Sequence, residues 1–108
     1  MQYLLLVCAD AEAGAAHAQD GCEGWSEEMI ERGVLRGGGG LRPPNEARTV
    51  RVREEQILYT DGPFAETREQ VGGFTLIECA DMDTALEIAA KHPAARYGCI
   101  EVRPMFTP

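Results

Sequence analysis

The sequence predicts an α+β fold, a ferredoxin-like sandwich with the order β-α-β, hairpin, β-α-β. Two nearly continuous apolar runs, residues 2–8 and 73–79, are typical of strands buried on both faces. Residues 49–53 alternate between apolar and basic side chains, and residues 57–60 form a second, largely apolar segment after a short turn. This pattern indicates a hairpin of two short strands. The clearest helical periodicity, over residues 81–92, follows the second apolar run, so the hairpin separates two strand–helix–strand units.

Length and composition indicate one folded domain over residues 1–108. The chain has 44% apolar and 26% charged residues, which favours a packed core over disorder. Ten Lys and Arg against eighteen Asp and Glu give a net charge of −8, which argues against nucleic acid and against an anionic membrane surface. With no apolar run near the roughly 20 residues of a membrane span and no signal-peptide pattern, we expect a cytoplasmic protein.

The first strand is expected to lead through a loop or weak helix, residues 10–24, into a firmer helix over residues 25–32. Ser26 is the expected N-cap of that helix, and Gly33 with Val34 fits a Schellman ending. Residues 34–41 then read as a strand that passes into a mobile loop at Gly37–Gly40. Alternatively, the glycine run indicates a place where the backbone closely approaches another part of the protein or a ligand.

The hairpin turn is expected at residues 54–56, although it lacks the usual glycine. The second helix has two candidate caps, either Asp81 alone or a capping box of Thr84 with Glu87, and Pro93 ends it. Residues 99–103 form the last strand. Two helices cover only one face of such a sheet, so its apolar second face predicts a homodimer with the sheets packed face to face.

A long motif gives the chain a family resemblance. Residues 60–79, TDGPFAETREQVGGFTLIEC, resemble the DGPF branch of the YCII-related family. The flanks YLLLVCAD, ERGVLRGGGGLRPP, TALEIAAKHPAARYG and IEVRPM agree with it, so the resemblance covers nearly the whole chain. It implies a dimeric α/β barrel of ferredoxin-like subunits.

The resemblance implies little about activity. In the YCII branch a cleft holds a His–Asp pair, with the His on the first helix and the Asp before a proline after the second. Here the residue before Pro93 is His92, and the histidine near the first helix is His17, so the pair does not transfer residue by residue. DGPF proteins are often encoded beside extracytoplasmic-function sigma factors, which implies a regulatory role as an alternative.

Asp61 and His92 are the candidate acid–base residues. Asp61 is also well suited to an Asx turn before Gly62-Pro63, and that structural role is favoured about two to one. His92 at a helix end is equally suited to a protonated cap on the negative helix terminus. For catalysis it would need a partner such as Asp61, Tyr97 or Glu101.

Five further residues are binding candidates. Glu66 and Glu69 lie one helical turn apart and could orient a substrate or cation, or form a solvated turn. Phe64 would form a pocket wall or a core plug beneath the turn. Arg42 and Arg103 are weaker candidates for an anion site, since Arg42 belongs to a solvated basic cluster and Arg103 shares a strand face with Glu101.

Four cysteines, Cys8, Cys22, Cys79 and Cys99, form no CxxC pair. The glycine run lacks the residues of a P-loop or of a dinucleotide fingerprint. We therefore predict no metal and no cofactor, and no nucleophilic cysteine.

Two function classes stay open. The first is a small-molecule-binding homodimer, with or without acid–base catalysis, whose cleft lies near the DGPF loop. The second is a non-catalytic module that binds a protein such as a sigma factor through the hairpin, residues 49–60. Deleting the hairpin would abolish partner binding in the second case and leave the dimer intact.

Overall fold

A computed structural model describes residues 1–17, 21–65 and 67–106. The strands are β1 (Gln2–Asp10), β2 (Leu35–Gly40), β3 (Arg48–Arg53), β4 (Gln56–Asp61), β5 (Glu69–Glu78) and β6 (Cys99–Pro104). The helices are α1 (Ala11–Ala16), α2 (Glu23–Glu31) and α3 (Met82–Ala90), with short 3₁₀ turns at Pro44–Glu46 and Pro93–Arg96. No described helix combines the length and apolar character needed to cross a bilayer.

The main sheet has four strands in the order β2-β5-β1-β6, and every neighbouring pair is antiparallel. β1 and β2 are joined through α1 and α2 across β5, while β5 and β6 are joined through α3 across β1. Two interleaved strand–helix–strand units are compatible with a ferredoxin-like arrangement. The predicted α+β class is therefore confirmed.

The core lies on one face of this sheet, between the sheet and the helices α2 and α3. Tyr3 and Leu5 of β1 and Ile77 of β5 point into it, and they meet the side chains that the two helices bury: Trp25, Met29, Ala85, Ile88 and Ala89. Because strand side chains alternate, Leu4 and Leu6 point to the opposite face, where they stand beside Leu76 and Phe74. An apolar patch therefore lies on the sheet face away from α2 and α3.

The helix ends follow the sequence in part. Gly33 has φ +73°, its N–H donates to the Ile30 carbonyl, and the Val34 N–H donates to the Met29 carbonyl, which confirms the Schellman ending. Ser26 as N-cap is wrong, because α2 already begins at Glu23 and places Ser26 inside the helix.

The cap of α3 is Asp81 alone. Its carboxylate accepts hydrogen bonds from both the N–H and the hydroxyl of Thr84. Glu87 takes no part in capping, because it forms a bidentate pair with Arg32 at 3.0 and 3.1 Å. This pair joins α3 to the end of α2.

The mobile loop expected at Gly37–Gly40 is wrong, because all four glycines belong to β2 and pair with β5. The alternative, a close approach of backbone, is correct at Gly38. Its φ is +152°, and a Cβ there would lie 2.5 Å from the Phe74 carbonyl oxygen. Only glycine fits at that position.

The hairpin is confirmed, and it forms a two-stranded sheet of its own, β3 with β4. Val50 lies opposite Tyr59 and Val52 opposite Ile57, so these four exposed side chains share one face. The turn residues Glu54 and Glu55 have φ of 50° and 66°. Two consecutive positive φ values are the signature of a type I′ turn, which favours Asn-Gly.

Replacing Glu54-Glu55 with Asn-Gly will therefore stabilise the hairpin against local opening. We expect a gain of about 1 kcal/mol from relief of left-handed strain. Hydrogen exchange of the β3 and β4 amides measures this quantity directly. Glu27→Gly, a substitution at an exposed position inside α2, is the contrast and should lower the free energy of unfolding by about 1 kcal/mol. Faster exchange in the Asn-Gly variant would contradict the strain argument.

Candidate functional site

A cleft of about 620 Å³ lies where the start of α2 faces β2 and β5. Its lining has four aromatic residues, Trp25, Phe74, His92 and Tyr97, and a run of glycines from β2 and β5. The polar side chains in the lining are Ser26, Arg36 and Thr75, with the thiol of Cys22. A volume of this size suits a small organic molecule.

Pro93 determines where His92 points. A proline disfavours helical backbone in the residue before it, and His92 accordingly has φ −72° and ψ 133°. α3 ends, the chain turns into the 3₁₀ segment Pro93–Arg96, and the imidazole is directed inward with only 8% of His92 exposed. The residue therefore lies in the wall of the cleft rather than on the surface at the helix end.

The hydrogen bonding of His92 defines its tautomer. Nδ1 accepts a 3.0 Å hydrogen bond from the Ala94 N–H, so in the neutral ring the proton is on Nε2. In the described part of the chain, no fully buried side-chain nitrogen or oxygen lacks a partner, and Nε2 has no described partner. Nε2 is therefore not fully buried, and His92 is one of the residues that line the cleft.

Burial lowers the pKa of His92 below its ordinary value. The expected protonated cap on the helix terminus is therefore wrong. The environment favours a neutral imidazole that presents an N–H donor toward the cleft. A neutral histidine in this state can polarise or protonate an oxygen, and it cannot accept a proton at Nε2.

Trp25 contacts the ring of His92, and Tyr97 contacts the ring of the other histidine, His17. The Trp25 ring meets the imidazole edge to face at a centroid distance of 4.8 Å, and its indole N–H donates to the Ile88 carbonyl at 3.0 Å. Tyr97 stacks on His17 at 4.1 Å with an interplanar angle of 10°. His17, expected to be merely exposed, is in fact half-buried against that ring.

Asp61 and Phe64 lie away from this cleft's lining. Asp61 ends β4, its side chain is 91% exposed, and it pairs with Arg48 at 3.3 Å. Phe64 is 80% exposed, so the core plug expected beneath the turn is wrong. The structure does not bring Asp61 into the wall that holds His92, and its predicted acid–base role stays a prediction.

Glu69, at the start of β5, accepts a 3.2 Å hydrogen bond from the thiol of Cys99, at the start of β6. This contact raises the pKa of Cys99 to about 11, with burial as a smaller cause. A lowered pKa is what activates a thiol, so this environment does not favour Cys99 as a nucleophile. Glu66 lies outside the described residues.

The two arginine candidates are engaged in exposed local ion pairs. Arg42 binds Glu46 at 3.1 Å, and Arg103 binds Glu101 on the same strand face, as the sequence suggested. Neither arginine is among the residues that line the cleft. Their predicted role in anion binding stays a prediction.

Sequence reasoning missed Trp25 and the glycines as cleft residues. The sequence pattern assigns Trp25 to the start of a helix, and it assigns Gly37–Gly40 to a loop. The features of the sequence that could have drawn attention to this cleft are its single tryptophan and its two separate glycine runs, 37–40 and 72–73. Only the register of β2 on β5 brings those runs together.

Comparisons with known proteins agree with the fold. The family model described as the YCII-related domain matches residues 1–107. An uncharacterised protein, R00369, from Rhizobium meliloti (strain 1021) is 42% identical over 80 residues, which span 72% of this chain and 64% of that protein. The chain thus matches somewhat less than two thirds of that relative's length.

A solved structure is similar over the full length. It is 5-chloro-2-hydroxyhydroquinone dehydrochlorinase from Burkholderia phenoliruptrix AC1100, in complex with 2,5-dihydroxybenzoquinone. The TM-score is 0.60 at 12% identity, covering 100% of this chain and 96% of that one. At this identity the likeness establishes the fold.

The lowered pKa of His92 makes the stability of the protein depend on pH in a defined direction. Below the ordinary histidine value of about 6.5, the unfolded chain takes up a proton that the folded chain resists. The free energy of unfolding therefore falls as pH drops from about 6.5 toward the lower folded pKa. Chemical denaturation at pH 7.5, 6.5 and 5.5 measures this loss.

His92→Asn is the matched variant, because its side-chain oxygen can keep the Ala94 N–H bonded while the titrating ring is removed. The pH dependence in this window should shrink in His92→Asn and persist in His17→Gln. An unchanged slope in His92→Asn would assign the loss to other groups.

Proposed function

The chain belongs to the YCII-related domain family, and we propose that it is a homodimer whose cleft beside His92 binds a small molecule. The observation that carries the proposal is a buried histidine in the lining of a cleft of about 620 Å³, with Nδ1 engaged by the Ala94 N–H and no described partner at Nε2. The DGPF segment supports placing the chain in the DGPF branch of that family.

His92 would act as a neutral hydrogen-bond donor or general acid. Its Nδ1 is held as an acceptor by the Ala94 N–H, so Nε2 offers a proton to an oxygen of the ligand. The same arrangement, a neutral imidazole with a lowered pKa, polarises a carbonyl in other enzymes. The structural neighbour acts on a hydroxylated, chlorinated ring, which supports an enzyme of small polar molecules as the working assignment.

A thermal-shift screen of metabolites tests this assignment, since a ligand that binds the folded state raises Tm. A compound that shifts the wild type should lose most of its effect in His92→Asn, because the variant keeps the local cap and lacks the Nε2 donor. Asp61→Asn is the control and should retain the shift, because Asp61 is not in the cleft lining.

The opposite pattern, with the shift lost in Asp61→Asn and kept in His92→Asn, would move the site to the hairpin and overturn the proposal. A shift lost in both variants would restore the acid–base pair predicted from the sequence. Measuring Kd for each variant by titration separates these cases.

The homodimer would form through the apolar patch on the sheet face away from α2 and α3, which we define as Leu4, Leu6, Phe74 and Leu76. These residues are partly buried or exposed in the single chain, and they lie side by side in the register of β1 on β5. A second copy packed sheet to sheet would remove the patch from water, as in a dimeric α/β barrel. The charged side chains Glu101 and Arg103 of β6 would border it.

Sedimentation at micromolar concentration should give a species of twice 11.8 kDa. Leu6→Lys places a charge in the centre of the patch and should shift the protein to the monomer. Ile30→Lys, on the exposed side of α2, should leave the dimer unchanged. A wild-type protein that sediments only at 11.8 kDa would contradict the dimer.

The hairpin favours a second candidate, a module that binds another protein such as a sigma factor. Its apolar face (Val50, Val52, Ile57 and Tyr59) is exposed, and its two strands have free edges. The hairpin deletion described above tests this candidate independently of the cleft.

A further inference from the structure

We propose that the ligand of the cleft is a planar ring that carries an acceptor oxygen and lies flat against the glycines of β2 and β5. This inference rests on the proposed ligand-binding cleft and names the chemical class of its ligand.

The first step is the floor of the cleft. From Gly37 to Gly40, and again at Gly72 and Gly73, two adjacent strands carry no side chain, and their backbones lie in the cleft lining. The result is a surface made of peptide groups, with Gly40 directly opposite Gly73 in the register. Flat peptide groups offer a stacking surface to a flat ligand, whereas a puckered ring would touch it at few atoms.

The second step is that the protein itself needs few of these glycines. At Gly38 a Cβ would collide with the Phe74 carbonyl, and at Gly73 it would lie 3.2 Å from the Gly39 carbonyl. At Gly37, Gly39, Gly40 and Gly72 a Cβ would meet nothing within 4 Å, and their φ values lie outside the positive region. Glycine in a strand costs stability through entropy. Gly37 and Gly39 pair with Leu76 and Phe74 and face the other side of the sheet. The space above the floor therefore accounts for Gly40, which pairs with Gly73 on the side of the cleft and which packing does not require to be glycine.

The third step is the opposite wall. Trp25, His92 and Tyr97 all belong to the lining of the same cleft. A cleft with a glycine floor and aromatic residues in its lining suits a flat ring, because paired aromatic rings gain affinity beyond that from area burial.

The fourth step is the polarity of the lining. No Asp or Glu of the described chain lines the cleft, so a cationic ligand would find no counter-charge there. Arg36 is held by Glu78 at 3.2 Å and by the Gly33 carbonyl at 2.8 Å. The side-chain donors in the lining include Nε2 of His92 and the hydroxyls of Ser26, Thr75 and Tyr97. The hydroxyls can donate or accept, whereas the imidazole N–H only donates, so His92 favours an acceptor oxygen on the ring edge.

The experiment uses two pairs of probes that differ mainly in planarity: tropolone with 2-hydroxycycloheptanone, and 2-pyridone with 2-piperidone. Binding is followed by NMR titration of the backbone amides and of the His92 ring nitrogens in the full chain. We expect the planar member of each pair to bind about tenfold more tightly than its puckered partner. The largest shifts should fall at Gly40, Gly73 and the His92 Nε2.

Two glycine variants provide the matched control. Gly40 pairs with Gly73, which lies opposite Val7, so an added methyl at Gly40 points to the side of the sheet that carries Tyr3 and Leu5. Gly39 pairs with Phe74 and points to the other side. Both sites have free space for a Cβ. Gly40→Ala should weaken the planar probes about tenfold, and Gly39→Ala should leave their affinity unchanged.

The outcomes separate this inference from the proposed function. If the puckered probes bind in the cleft as tightly as the planar ones, or if Gly40→Ala has no effect on binding, the planar class is wrong while the cleft stands. If no probe shifts any cleft resonance and His92→Asn changes nothing in the thermal-shift screen, the cleft itself is wrong and the inference falls with it.

Discussion

The position of one indole ring controls how the helices, the histidine and the cleft fit together. Trp25 is buried between α2 and α3, its N–H donates to the Ile88 carbonyl, and its ring meets His92 edge to face. A buried indole N–H left without an acceptor would cost about 1–3 kcal/mol, so the hydrogen bond fixes the rotation of α2 relative to α3. The exposed pairs Arg32–Glu87 and Lys91–Glu28 join the same two helices and add less, because solvent screens them.

His92 shows how two opposing influences on one side chain are resolved. A helix C-terminus favours an imidazolium by about 0.3–1 kcal/mol when the ring is exposed. Burial opposes the charge, and here burial dominates, since the pKa of His92 is lowered. Pro93 is the reason that burial outweighs the helix terminus, because it turns the backbone of His92 away from the helical conformation and directs the ring inward.

The glycines of β2 lower the stability of the strand but leave room for the cleft. A strand of consecutive glycines has weak intrinsic preference for its conformation, and β2 is held chiefly by its hydrogen bonds to β5 and by Leu35 in the core. That arrangement leaves a strand at the edge of the sheet with a surface free of side chains. The same residues that weaken the strand open the cleft, and the buried ring of Trp25 faces the space they leave.

The α+β class, the hairpin and the Schellman ending at Gly33 follow from the sequence, because the pattern of each element depends on neighbours within a few residues. The sequence leaves two caps open for the second helix, and it predicts a loop at Gly37–Gly40 where the structure has a strand, since four glycines have no local preference that distinguishes a strand from a loop. Asp61 and His92 were paired on residue type, and the fold placed Asp61 on a separate two-stranded sheet beside Arg48. Only the tertiary structure could set Trp25, His92, Tyr97 and two distant glycine runs around one cavity, because that assembly depends on strand register and helix packing between residues far apart in the chain.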